Sequence, residues 1–299
     1  MSVEQRQYLA AMLKRPADTG SLSIEDMRAG FAAMMDTMQV PAQVRANSII
    51  VAGRRAISVE PEGPPRPGTI LYFHGGSFML GSPETAMSLT ANLVVRTGIR
   101  AISVDYRLAS EHPFPAGIND AVAVYRALLD DGEDPRSIAF AGDSAGGGIA
   151  VGACLLERDA GLPLPAAVLT FSAALDATRT GASMTAKEGI DPYFTREGLL
   201  SGGQAYLAGE DPRQPLLSPA VCADLTGFPP LLLQVGTNEL LLDDSTRLAQ
   251  RARDAGVDVI LDVTADVPHV FQAFAGVLDE ADDALDRAAL FLTQRLAPR

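Results

Sequence analysis

The sequence predicts an α/β protein with one mostly parallel sheet of about eight strands, flanked by helices and carrying a helical cap. Three observations predict it. Short β-branched runs alternate with amphipathic stretches from about Ile49 onward. A glycine-flanked serine, Ser144, stands between one such run and one such stretch. Two further segments, 1–45 and about 178–210, fall outside the alternation.

The expected strands are Ser48–Val51, Ala56–Val59, Thr69–Phe73, Ala101–Val104, Ser137–Ala141, Ala167–Phe171, Leu231–Val235 and Val257–Val263. The expected helices include Glu84–Arg96, Ile118–Leu129, Ala145–Asp159 and Asp244–Ala255. The first two or three strands follow one another closely and read as a meander. The later ones are separated by helical stretches, which implies parallel crossovers. In residues 1–45, Met27, Phe31, Met34, Met35 and Met38 form an apolar stripe at helical spacing. The stripe fits ordinary core packing, and it also fits a cap whose adaptable Met side chains cover a pocket. Residues 178–210 are rich in Gly and polar residues and contain Tyr193 and Phe194. The expected organisation is therefore a catalytic domain over 46–299 with cap segments at 1–45 and about 178–210.

Composition narrows the function. Hydrophobic residues make up 47% and charged residues 20% of 299 residues, enough apolar material for one large core. The formal charge of -13 argues against nucleic acid and against anionic lipid as partners. Cys154 and Cys222 lack a metal-type spacing and read as free thiols. No apolar run reaches the ~18–20 residues of a membrane span, so no membrane insertion is expected. The first residues lack the basic and apolar regions of a signal peptide, and a cytoplasmic location is expected.

The chemistry centres on Gly142-Asp143-Ser144-Ala145-Gly146, a G-x-S-x-G pattern between a strand and a helix. A nucleophile on so tight a turn needs positions two before and two after it to lack a Cβ. The helix that follows aims its free N–H groups at developing negative charge. Asp143 reads as a hydrogen-bonding group rather than an acid, because an adjacent side chain points away. Upstream, Phe73-His74-Gly75-Gly76-Ser77-Phe78 follows an apolar strand. Its glycines let backbone N–H groups turn toward an anion, so Gly75, Gly76, Ser77 and Ala145 are the candidate oxyanion-hole donors.

These two motifs resemble those of the bacterial hormone-sensitive-lipase family of esterases (family IV), which have the α/β-hydrolase fold. That family carries H-G-G-G ahead of G-D-S-A-G-G. Asp105-Tyr106-Arg107-Leu108 and Glu111-His112-Pro113-Phe114-Pro115-Ala116 match it as well, and the likeness spans about residues 68–295. One departure is Ser77, where the family has its third glycine. A serine is expected there only with an ordinary, negative φ.

The chain has three histidines. His74 lies inside the oxyanion loop and His112 in a proline-rich loop. The order nucleophile, acid, histidine leaves His269, which follows the last strand, as the base. The resemblance implies the same residue. The acid should lie in Gly236-Thr237-Asn238-Glu239-Leu240-Leu241-Leu242-Asp243-Asp244. Asn238 cannot stabilise an imidazolium by charge, while Asp243 and Asp244 open a helix and serve as its N-terminal charges. Glu239 is ionisable, close to the strand end and not needed as a cap. It also falls on the first position of the family's D-x-L-x-D pattern, with Asp243 as the second candidate. Asp266 reads as solvated loop charge.

The resulting expectation is a serine carboxylesterase acting through Ser144, His269 and Glu239, with an acyl-enzyme and no metal or organic cofactor. The resemblance implies a small-molecule ester substrate with a short to medium acyl chain, and it allows a homodimer. A lactonase or amidase on the same residues, or a silent ligand-binding relative, is the alternative.

Overall fold

The structure, a computed structural model, describes residues 3–13, 22–109 and 111–296. Residues 1–2 and 14–21 of the expected N-terminal cap, and 110 and 297–299 of the expected catalytic domain, lie outside the described residues. In chain order the elements are α1 (Val3–Met12), α2 (Ile24–Met35), β1 (Val44–Val51), β2 (Arg54–Pro61), β3 (Arg66–Phe73), α3 (Met87–Thr97), β4 (Ile99–Val104) and α4 (Ala116–Asp130). There follow β5 (Ile138–Asp143), α5 (Ala145–Asp159), β6 (Ala167–Phe171), α6 (Ser183–Ala186), α7 (Arg196–Leu207), α8 (Pro219–Cys222), β7 (Leu231–Gly236), α9 (Leu242–Asp254), β8 (Val259–Thr264) and α10 (Asp279–Arg295).

Among the described residues, eight strands form one sheet in the order β1-β2-β4-β3-β5-β6-β7-β8. The hairpin β1–β2 turns on Ala52 and Gly53, both at positive φ (49° and 73°), as a two-residue turn matched to the strand twist requires. β2 pairs antiparallel with β4, and every pairing from β4 to β8 is parallel. The expected meander stops after β2: β3 lies on the far side of β4. Two parallel neighbours need a crossover, and α3 supplies it between β3 and β4.

Both faces of the sheet are buried, so side chains alternate between two cores. Leu71 and Phe73 of β3 face one side, packed with Ile118 of α4 and Ile149 of α5. Ile70 and Tyr72 face the other, with Leu89 of α3 and Phe291 of α10. Helix α9 carries Asp243 and Asp244 in its first turn and Arg251 and Arg253 in its last, both favourable to the helix dipole. Helix α5 begins with Gly146, Gly147 and Gly148, poor helix formers, yet it is buried almost throughout. Tertiary packing overrides propensity there. No helix among the described residues is long and apolar enough to cross a membrane. Cys154 is buried and Cys222 half-buried, both as free thiols.

The chain leaves β3 for β4 on one side and returns to place β5 on the other. Between β3 and β5 the following segments diverge, which opens a crevice at the carboxyl ends of these strands. The Phe140 ring supports β5 from below, edge-on to Phe73 (5.8 Å) and Tyr125 (4.8 Å). Phe140→Ala is expected to cost about 3–5 kcal/mol, read as a lower urea midpoint in equilibrium unfolding.

Candidate active site

Ser144 sits where β5 ends and α5 begins, with φ 51° and ψ −119°. Its N–H donates to the Phe171 carbonyl (2.8 Å), and its carbonyl accepts from Ala174 (2.9 Å), so β6 holds the turn from one side. From the other side α5 presses against the end of β3. A Cβ on Gly146 would stand 1.9 Å from the Phe73 carbonyl oxygen, and one on Gly142 would stand 2.5 Å from the Gly146 carbonyl carbon. Both positions therefore need glycine, as the spacing of the motif implies.

His269 follows β8 in a loop and reaches back across the crevice. Its Nε2 lies 2.9 Å from Ser144 Oγ and its Nδ1 2.8 Å from Glu239 Oε2. A carboxylate only accepts, so in the neutral ring Nδ1 carries the proton and Nε2 presents its lone pair to the Ser144 hydroxyl. Glu239, fully buried, also accepts through Oε1 from the Gly236 N–H (2.7 Å) and the Ser172 hydroxyl (2.8 Å). Ser172 in turn accepts from the Val270 N–H (3.0 Å), which ties the histidine loop to the acid. Burial pulls the His269 pKa down. The hydrogen bond and charge of Glu239, helped by the charges of Asp191 and Asp143, outweigh that and hold it above the ordinary imidazole value.

The other acidic candidates do different work. Asp243 accepts from the Ser183 N–H (3.0 Å), and Asp244 from the N–H groups of Leu175 and Asp176. Neither meets His269. Asp266 is exposed and pairs with Arg6 at 3.2 Å. His112 is exposed. His74 is buried, stacked on Tyr106 at 4.3 Å, and burial lowers its pKa to about 4, so it stays neutral.

In the loop after β3 the Gly75 N–H donates to Asp143 Oδ1 (3.0 Å), which also accepts from the Tyr72 hydroxyl (2.9 Å). Burial raises the Asp143 pKa to about 6 against the pull of these two donors and of His269. With its N–H spent on Asp143, Gly75 is not free to serve an anion; Gly76, Ser77 and Ala145 remain for that role. The expectation of an ordinary φ at Ser77 is overturned. Ser77 has φ 54° and Phe78 φ 62°, both in the left-handed region, at roughly 1–2 kcal/mol per residue. Tethers around the turn hold them: Met79 and Leu80 both donate to the Gly76 carbonyl, and Ala109 donates to that of Phe78.

Above Ser144 and His269 opens a cavity of about 390 Å³, walled mainly by apolar side chains. Met27, Phe31, Met34, Met35 and Met38 all line it, so the methionine stripe faces this space. Arg28 fastens α2 to the body through the Met79 carbonyl (2.9 Å) and a two-pronged pair with Glu111. Phe194 lines the opposite wall, its ring 4.9 Å from that of His269. Asp191 anchors this wall, accepting from the N–H groups of Tyr193, Phe194 and Leu240. Sequence reasoning missed Asp191 and Ser172. The Asp191-Pro192 pair does signal a turn, but its partner at Leu240 is far away in sequence. Among the described residues no cluster of three or more His, Cys, Asp or Glu side chains is placed to hold a metal ion.

Residues 70–273 match the sequence pattern of the alpha/beta hydrolase fold family. The chain belongs to that family. An acetyl-hydrolase of Streptomyces hygroscopicus is 44% identical to this α/β-hydrolase over 224 residues, 75% of each chain. An esterase of Acinetobacter venetianus is 38% identical over 225 residues, 75% of this chain and 74% of its own. The crystal structure of an esterase from the bacterial hormone-sensitive lipase family matches with a TM-score of 0.94 at 39% identity, over 99% of this chain and 100% of the other. The likeness to the hormone-sensitive-lipase esterases noted from the motifs therefore holds, and this α/β-hydrolase is a carboxylic ester hydrolase.

Three outcomes are expected. Gly146→Ala should cost at least about 1–3 kcal/mol, because the added carbon meets backbone rather than a movable side chain; thermal unfolding measures this. NMR titration of the three histidines should place His269 above about 6.5. In Glu239→Gln its pKa should fall, since burial then prevails.

Proposed function

We propose that the enzyme is a serine carboxylesterase for short- to medium-chain esters, working through an acyl-enzyme on Ser144. The observation that carries this reading is the line Ser144 Oγ, His269, Glu239, with contacts of 2.9 and 2.8 Å, at the base of an apolar cavity. Residues 1–45 and about 178–210 act as cap segments over the catalytic domain, and the methionines of α2 form the wall that accommodates the substrate.

In the first half-reaction His269 Nε2 takes the Ser144 proton as Oγ attacks the ester carbonyl. The carbonyl oxygen becomes an anion held by the N–H groups of Ser77 or Gly76 and of Ala145. Ala145 is the first residue of α5, so its N–H has no intrahelical partner. The imidazolium, stabilised by Glu239, then gives its proton to the leaving alcohol, and the C–O bond breaks. Water repeats the sequence: His269 takes one proton from it, hydroxide adds to the acyl carbon, and Ser144 leaves with that proton. Losing one oxyanion donor in such a site typically costs ~3–4 kcal/mol.

The test is hydrolysis of p-nitrophenyl esters from acetyl to palmitoyl by the wild type and Ser144→Ala, with fluorophosphonate labelling alongside. Short chains should be cleaved, Ser144 should be labelled, and the alanine variant should be inert. A wild type no faster than Ser144→Ala on every ester would sink the reading. Because His269 must be neutral to act, kcat/KM should fall as pH drops through a pKa above about 6.5. In Glu239→Gln that limb should move to lower pH, with kcat reduced on the order of 10⁴-fold, as in the serine-protease case.

A further inference from the structure

Asp191 lies in the loop between α6 and α7, far in sequence from Ser144, Glu239 and His269, and the chemistry above assigns it no part. It is 8% exposed and satisfies three backbone donors. Oδ1 accepts from the N–H groups of Tyr193 (2.8 Å) and Phe194 (3.0 Å), and Oδ2 from that of Leu240 (2.8 Å). Leu240 directly follows Glu239. Tyr193 and Phe194 flank His269, their ring centres 6.3 Å and 4.9 Å from the imidazole and their planes inclined to it at 69° and 72°. One carboxylate therefore ties the loop that carries the acid to the aromatic pair beside the base.

Neutral acceptors could satisfy three N–H groups, so a buried charged one needs a reason. An ionised carboxylate out of water is costly unless donors or opposite charge compensate it. Arg6 and Asp266 border the space behind Asp191, but Arg6 is drawn to Asp266 (3.2 Å) and Glu280 (3.4 Å). Burial raises the Asp191 pKa, and His269 comes first among the influences that lower it, ahead of the three N–H groups. The relation is mutual. Burial lowers the His269 pKa, while Glu239, then Asp191, then Asp143 raise it. The buried charge is thus met by the cation that forms when His269 takes the Ser144 proton.

We propose that Asp191 is a positioning residue for the ester hydrolysis, fixing the Glu239 loop and the Tyr193–Phe194 pair around the His269 ring and supporting the imidazolium by its charge. The proposal rests on the reading of His269 as the base. It makes the segment around 178–210 part of the acid–base apparatus as well as a wall of the cavity.

The test measures kcat/KM for p-nitrophenyl acetate against pH in wild type, Asp191→Asn and Asp191→Ser, with circular dichroism to establish the folded fraction. Asparagine keeps one acceptor for Tyr193 and Phe194 but turns an amide toward the Leu240 N–H. Serine can keep the local turn and leaves nothing that reaches Leu240. The two variants thus lose the charge and the tie by different routes. In both, the plateau of kcat/KM per folded molecule should fall, on the order of 10²-fold. The acid limb should move to lower pH, because a charge that raises the His269 pKa is gone. A fall in rate with the limb unmoved would make Asp191 a structural residue only and overturns the proposal. So does a plateau equal to that of the wild type, or a failure of both variants to fold. If wild type cleaves no ester and its Ser144 resists fluorophosphonate, the esterase reading itself fails and this proposal falls with it.

Discussion

The closeness of α5 to the end of β3 is the constraint on which this site depends. Gly146 lies so near the Phe73 carbonyl that no side-chain carbon fits between them. That approach bends the chain sharply at Ser144, holding its backbone at φ 51° and aiming the helix N-terminus at the crevice. It also brings the loop after β3 alongside. Asp143, the neighbour of Ser144, takes the Gly75 N–H and the Tyr72 hydroxyl, so one buried carboxyl registers the serine turn against the glycine loop. The serine turn and the glycine loop are thus parts of one packed junction.

The opposite side is organised by buried polar groups that satisfy one another. Glu239 is fully buried and keeps both oxygens occupied: Gly236 and Ser172 on one, His269 on the other. A buried charge with fewer partners would be costly, and the partners come from β7, the segment after β6 and the loop after β8. Three separate strand ends are thereby locked in a common arrangement, with the imidazole orientation as the product.

Much of this was legible in the sequence, because the relevant physics is local. The strand–turn–helix around Ser144 is dictated by the absence of side chains at Gly142 and Gly146, and the eight strands by their short β-branched runs. Glu239 was separable from Asp243 and Asp244 because the latter two open a helix. The pairing order was harder to read: nothing in the spacing of β2 and β3 reveals that β4 slips between them, since that choice belongs to the crossover helix. Ser77 misled for a similar reason. Its left-handed backbone is held by bonds to Leu80, Met79 and Ala109 around it. Asp191 and Ser172 act through partners 49 and 67 residues away in sequence, a relation that only the folded chain displays.

The two walls of the cavity are held by different kinds of contact. Helix α2 has no buried residue; Arg28 ties it to the body beside the packing of Ile24 and Met35, and polarizable, unbranched methionines face the cavity. The wall bearing Phe194 is riveted by Asp191 to the same loop that carries Glu239. The side chains that face the cavity from α2 have many rotamers open to them, while the Phe194 ring stands beside the imidazole on a hydrogen-bonded turn. Adaptable side chains and pinned backbone thereby belong to different pieces of chain, and the sequence of one can vary without that of the other.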